Sequence, residues 1–555
     1  MLDQESRFDP RQSPLGHESQ GAASRATVAA LAPRASRADA SHADASRADS
    51  SRAEKRRPAV SEAQRTAPYA DALRHFADAK PMSLMVPGHG SGAERGAEHL
   101  AGLFGDRVPA VDIPLMLEGI DLGEDSPLVR AQQLAAEAWG AKRSWFLTNG
   151  ASQANRTAAI AVRGLGERVL VQRSMHSSFT DGVLLSGLIP AFVQPAVDAH
   201  HGIAHGLTPE VLDEALKREA EAGRAVSSVY VVSPSYFGST ADVAGLAEVA
   251  HAHDAAIIVD GAWGAHFGFH PGLPDSPARL GADLVVSSTH KLAGSLTQSA
   301  MLHLGEGPFA DRLEPLVSRA YSMTASTSMS SILMGSLDET RRALMMGEER
   351  IGEALRAADE IRDRLRDDER FSIISDGFDA FADIVDVDRL RIPIDVSALG
   401  RSGHWVRGRM STEHGIYLEM STATSVVAVI GALTTPDADR VLTAFDEVAR
   451  TALADPDPIA AGESFPELPA PGALRALPRD AYFGESEVVA AVDAIGRVSA
   501  DTLAAYPPGI PNLLPGEEVT AETVAFLQAV AASPTGYVRG AVDTAVSGIR
   551  VVRAQ

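Results

Sequence analysis

From Tyr69 onward the chain alternates short apolar runs rich in β-branched residues with longer stretches of helical period. Ala255-Ala-Ile-Ile-Val-Asp260 and Asp283-Leu-Val-Val286 are continuous apolar runs of strand length, and further strands are expected from Ser144, Val169 and Val229. Runs without a polar alternation belong to strands buried on both faces. Between them, Val129 to Ala141 has the spacing of an amphipathic helix, and Val243 to His253 predicts a helix that carries the chain back to the strand ending at Asp260. Strands alternating with helices imply an α/β fold with a mainly parallel sheet, whose ligand site lies beyond the carboxyl ends of the strands. Asp260 and Lys291, thirty-one positions apart and each at a strand mouth, then face one crevice.

The same pattern divides the chain. Residues 1–65 are rich in Ala, Ser, Arg and Asp, with a near-repeat from Arg34 to Arg57, and offer too few large apolar groups to offset the entropy of ordering; a disordered tail is expected. An N-terminal arm follows over 66–110 and a large domain over 111–340. A long charged helix from Glu339 to about Asp368 leads into a smaller α+β domain, 341–454, and the Pro/Ala/Gly-rich stretch at Asp455 opens a last domain, 455–555.

Composition narrows the function. With 45% hydrophobic and 22% charged residues over 555 positions, the chain has ample core. A net charge of -23 argues against nucleic acid as a partner, because phosphate binding needs concentrated Lys and Arg. No run approaches the roughly 20 apolar residues of a bilayer span, and the N-terminus lacks a basic-then-apolar leader. A cytoplasmic protein that works away from membranes is expected. Cysteine is absent, which excludes thiolate chemistry, and no metal ligand set stands out.

Candidate chemistry centres on Val286-Ser-Ser-Thr-His-Lys-Leu-Ala-Gly-Ser-Leu-Thr-Gln-Ser-Ala300. It delivers Lys291 into a loop dense in hydroxyl, glycine and amide groups. An amine beside small hydroxyl donors suits a cofactor that carries both an aldehyde and a phosphate. This stretch, with S-x-H-K and Q-S-A at fixed offset, resembles the pyridoxal-phosphate attachment signature of the bacterial ornithine/lysine/arginine decarboxylase family. Leu84-Met-Val-Pro-Gly-His89, Arg173-x-x-His176-x-Ser178, Pro234-Ser-Tyr-x-Gly238, Thr327-Ser-x-Ser330 through Asp338, and Tyr506-Pro-Pro-Gly-Ile-Pro511 extend the likeness over nearly everything after residue 80. The chain resembles the branch without an N-terminal receiver-like wing.

The resemblance implies a fold-type-I large domain with pyridoxal 5'-phosphate as cofactor, a smaller α+β domain and a C-terminal decarboxylase domain. It implies a homodimer or higher homo-oligomer with shared active sites, and decarboxylation of a basic amino acid, arginine, lysine or ornithine, to a polyamine-pathway amine. Lys291 then bonds the cofactor aldehyde, and Asp260 keeps the pyridine nitrogen protonated. His176 and Ala262 cover the two ring faces, and Trp263 reaches the phenolic oxygen. His290 contacts the phosphate or the reacting carboxylate, with Ser288 beside it. Ser152 and Gln153 hold the phosphate at a helix start behind the Asn149-Gly150 turn, where free N–H groups and the helix dipole form a generic cradle. Thr327 and Ser328 lie on a loop that, in this fold, serves the neighbouring subunit's phosphate. Glu485 and Glu487 are candidate partners for the substrate's distal cation. Four positions depart from the family pattern: Gly90 and Ser177 for lysine, Ala151 for a hydroxyl residue and Ser331 for tyrosine. Another fold-type-I enzyme, such as an aminotransferase or aldolase, and a catalytically silent homologue are the competing readings.

Overall fold

The computed structural model describes residues 60–92, 97–454, 468–506, 510–533 and 536–554. The expected tail as far as residue 59, the basic run at Lys55, the linker opening at Asp455 and residues 507–509 of the Tyr506 motif lie outside the described residues. The packed chain begins ahead of the expected arm. Gln64 is buried, donates to the Leu134 carbonyl at 3.0 Å, and its own carbonyl accepts from the buried Arg341 at 2.7 Å.

The central sheet consists of β1 (Arg143–Leu147), β2 (Arg168–Gln172), β3 (Ile189–Val193), β4 (Ser228–Val232), β5 (Ala256–Asp260), β6 (Leu284–Ser287) and β7 (Ala300–Leu304). The order is β1-β7-β6-β5-β4-β2-β3, parallel except for β7, which runs against β1 and β6. Every residue of β5, β6 and β7 is buried, as the unbroken apolar runs require. In register, Asp260 stands opposite Val232 on one side and Val286 on the other, so the ends of β4, β5 and β6 come out together.

Helix α1 (Pro68–Ala79) packs on α2 (Pro127–Trp139), which with α3 (Gly150–Val162), α4 (Ser177–Ser186) and α5 (Val243–Ala252) covers this sheet. Ser126 caps α2 by accepting from the Val129 N–H, Pro127 starts it, and Gly140 ends it at φ +74. Helix α3 is largely alanine on its buried face, and α4 meets it where Gly182 faces Ala159; a Cβ on Gly182 would lie 2.6 Å from that of Ala159. The β5–β6 connection, of helix length in the sequence, contains no helix. Pro271, Pro274 and Pro277 and the left-handed Gly268 (φ +84) turn it instead. It is pinned from behind, because Trp139 Nε1 donates to the Ala265 carbonyl at 2.9 Å and Arg279 Nη2 to that of Ala138 at 2.6 Å.

The single charged helix expected from Glu339 is two, α6 (Ser331–Met345) and α7 (Glu348–Arg366). They part at Gly347, where a Cβ would lie 2.5 Å from the Ala343 carbonyl oxygen and 2.6 Å from Leu433. Beyond them, β8 (Ser372–Ile373), β9 (Arg391–Asp395), β10 (Met420–Ser421) and β11 (Ser425–Val429) form an antiparallel sheet in the order β8-β9-β11-β10. Ile392, Ile394 and Val426 of this sheet share a core with Leu355 and Ile361 of α7 and with Phe445.

The C-terminal segment is tied to the large sheet by Arg173. This buried side chain meets both carboxylate oxygens of Glu517, at 2.5 and 2.9 Å, and donates to the carbonyls of Pro511 and Asn512. Among the described residues no helix is long and apolar enough to cross a membrane.

Candidate active site

The strand ends place four of the expected residues together. Lys291 Nζ lies 3.6 Å from the centroid of the buried Trp263 indole. Asp260, buried at the end of β5, accepts from Tyr230 Oη at 2.5 Å, Asn155 Nδ2 at 3.0 Å and the Ala262 N–H at 3.1 Å. Asn155 also donates to Ser178 Oγ at 3.1 Å, and that hydroxyl lies 2.7 Å from His176 Nδ1. Nδ1 of His176 also accepts from the Ser178 N–H at 3.2 Å, so its proton belongs on Nε2. One chain of polar groups thus fixes both the carboxylate and the imidazole.

Lys291 has no hydrogen-bond acceptor for Nζ among the described residues and rests on an aromatic face. Burial pushes its pKa from 10.5 down to about 7; the nearby Arg391 adds to this, while Asp260 and Glu419 oppose it. A lysine amine that sheds its proton near neutrality is a nucleophile. The crowded cleft likewise lowers His176, although the residue is exposed by area, with Asp260 opposing and Lys291 reinforcing the shift. Burial also lowers His290, whose Nδ1 lies 2.8 Å from the Ser299 carbonyl and so carries the proton.

The phosphate cradle is open. No side chain caps the N-terminus of α3, and Gly150 enters it at φ +71. Gln153 is buried with its Nε2 unpartnered, and Ser152 stands beside it, half-buried. The loop after Lys291 reaches this helix, since Gln298 accepts the Gly150 N–H at 2.7 Å and donates to Asn149 at 3.0 Å. An amine, a carboxylate steadied by three donors, an imidazole fixed by Ser178 and an uncapped helix start with a buried amide to spare are a donor set that fits pyridoxal 5'-phosphate.

Ser288 is buried beside this loop. Thr327 and Ser328 are not gathered in; they sit on the exposed turn before α6, where Ser328 Oγ lies 3.2 Å from Ser326 Oγ. Glu485 and Glu487 pair with Arg553 and Arg497 inside the C-terminal segment. Two departures from the family pattern have structural uses here. Ser331 is buried, donates to the Val111 carbonyl at 2.9 Å and accepts the Ile113 N–H at 3.0 Å, and Ser177 accepts from Arg539 at 3.2 Å.

Sequence reasoning passed over Asn155, Tyr230, Arg391 and Glu419. Asn155 is a buried polar residue on an alanine face, and Tyr230 a phenol inside an apolar strand; each is the kind of exception that signals a partner. Arg391 is buried, with its guanidinium carbon 4.1 Å from the Trp263 centroid, and it donates to the Ser235 and Tyr236 carbonyls. No local signal announces it, because it arrives from the small sheet.

The family model for the Orn/Lys/Arg decarboxylase major domain matches residues 67–383, and that for the C-terminal domain matches 471–537. The chain belongs to the Orn/Lys/Arg decarboxylase family. It is 33% identical to the arginine decarboxylase of Bacillus subtilis over 89% of this chain and 99% of that one. It is 32% identical to the arginine decarboxylase of Halalkalibacterium halodurans over 84% and 94%. The fold is that of the Francisella novicida lysine decarboxylase, with a TM-score of 0.74 at 20% identity over 88% of this chain and 82% of that one. This Orn/Lys/Arg decarboxylase is accordingly a carboxy-lyase of fold type I acting on a basic amino acid.

Proposed function

We propose that the protein decarboxylates arginine, with pyridoxal 5'-phosphate held by Lys291, Asp260, His176, Ala262, Trp263, Ser288, His290 and the α3 cradle of Ser152 and Gln153. The observation that carries this reading is the Lys291 amine, whose pKa is brought down to about 7 so that a large share is unprotonated at neutral pH, close to a buried carboxylate. When bound, the cofactor supplies an aldehyde and a sink for the electrons that CO2 leaves behind. Asp260 holds a proton at the ring nitrogen, and Asn155 and Tyr230 keep that carboxylate in place. Lys291 Nζ, on the Trp263 face, takes and returns a proton near the reacting carbon. His176 packs against the ring, and the buried indole keeps water from the amine.

Arginine is favoured because the relatives at 30–33% identity are arginine decarboxylases. Glu419 suits its distal group. Its exposed carboxylate makes no hydrogen bond or ion pair among the described residues, yet lies close enough to influence Lys291 and Arg391. A carboxylate can receive the planar guanidinium bidentately.

The reading includes a cytoplasmic homo-oligomer that feeds polyamine synthesis. Leu84 (92% exposed), Met82 (82%) and Leu103 (75%) are too many large apolar groups in one short region to face water, and a second copy would cover them. Thr327 and Ser328, exposed here, are then free to serve the partner's site. The test is CO2 and amine release from arginine, lysine, ornithine and neutral amino acids, with light scattering for assembly. Release of CO2 and the decarboxylated amine from arginine, at a kcat/KM at least tenfold above that for lysine, is expected. A keto acid product would favour an aminotransferase, and cofactor uptake without turnover a silent homologue.

A further inference from the structure

The hairpin after β3 pairs Val197–Asp198 with Ile203–Ala204, and its turn carries His200 and His201. It meets the last residue of β9, Asp395, across the seam between the two sheets. We propose that His200, His201 and Asp395 form a binding site for a divalent transition metal of the zinc type. Their ligand atoms all lie within 4.8 Å of one another, and tetrahedral metal bonds of about 2.0–2.2 Å would bring them to about 3.5 Å with an inward movement of about an ångström.

Three observations point to a cation there. First, His201 Nδ1 is 2.6 Å from Asp198 Oδ2, while Asp198 Oδ1 accepts the N–H groups of both His200 and His201. A carboxylate that orients an imidazole through Nδ1 and leaves Nε2 facing a second ligand is the arrangement found behind metal-binding histidines. Second, Asp395 commits Oδ1 to the Ser397 N–H at 2.7 Å and turns Oδ2 toward His201 Nε2 at 3.3 Å. Third, two buried carboxylates face a single imidazole, and among the described residues no lysine or arginine pairs with either. Two negative charges so enclosed demand compensation by positive charge. A proton on His201 meets half of that demand, and a divalent ion with neutral His201 meets all of it. The exposed His200, its ring 4.5 Å from that of His201, can turn onto the ion without disturbing the core. Asp198, Asp395 and His200 are the titratable groups that face His201.

The test uses the full-length holoenzyme, dialysed against a chelator and then titrated with Zn2+ or Co2+. The expected result is one equivalent bound per chain, a raised Tm, and a visible Co2+ band. Affinity should fall at least tenfold in His200→Asn and Asp395→Asn but stay unchanged in His253→Asn. Because metal ligands must be free of protons, binding should also weaken as the pH falls. His200→Asn alters an exposed side chain, so its unchanged circular dichroism and decarboxylation rate separate site loss from misfolding. An unaltered wild-type Tm with metal, or binding that survives His200→Asn, would overturn the proposal and leave the cluster a proton-held bridge.

Discussion

Two enclosed basic side chains in this molecule are treated in opposite ways. Arg173, at the joint with the C-terminal segment, has both oxygens of Glu517 and two backbone carbonyls as acceptors, and stacks 4.5 Å over Phe192. Lys291 has an indole face and no acceptor among the described residues, with Arg391 sharing the same indole. Full compensation makes a cation a fixture of the architecture. Withheld compensation makes it give up its proton and react.

The severest way to break this contrast is Lys291→Ala. Decarboxylation should drop by about 10⁴-fold or more, and borohydride treatment should no longer fix the cofactor's mass on this peptide. Glu517→Gln attacks the other side, leaving Arg173 buried against a neutral amide. Urea denaturation should show a loss of about 3–5 kcal/mol, much reduced when Arg173→Met is added. Asp260→Asn keeps the shape but removes the charge, and kcat should fall about 10²–10³-fold with a smaller change in cofactor affinity.

The apoprotein offers a subtler test. The folded-state pKa of Lys291 is depressed to about 7 from 10.5, so between those values the unfolded chain binds more protons than the folded one. Stability contributed at this site therefore rises with pH across that window. Lys291→Met should be more stable than wild type at pH 7, with the gap closing by about pH 10.5 in paired melts. The smallest effect is expected of Trp263→Phe, which keeps an aromatic face. The amine's labelling pH profile should move by less than a unit, since a cation–π contact is worth about 1–2 kcal/mol when desolvated and phenyl retains part of it.

Much of this site could be read in the primary structure. Asp260 and Lys291 each follow an unbroken apolar run, and such runs fold as buried parallel strands whose ends share one crevice. The helix start at Gly150 was equally plain, because a strand, a glycine turn and an alanine-rich segment leave few alternatives. The length of the β5–β6 connection misled, since a stretch long enough for a helix cannot form one across three prolines. The break at Gly347 was hidden because charged residues of helical period run past it on both sides.

By itself, the sequence determined the strand runs, the helix caps and the reactive amine with its carboxylate, because these depend on neighbours within a few positions. Tertiary structure alone decided that Asn155 and Tyr230 converge on Asp260, that Arg391 crosses from the small sheet to Trp263, and that Glu485 and Glu487 are spent on ion pairs. Those outcomes depend on which buried polar groups find partners across distant segments, and desolvation enforces that pairing only once the chain has closed around them.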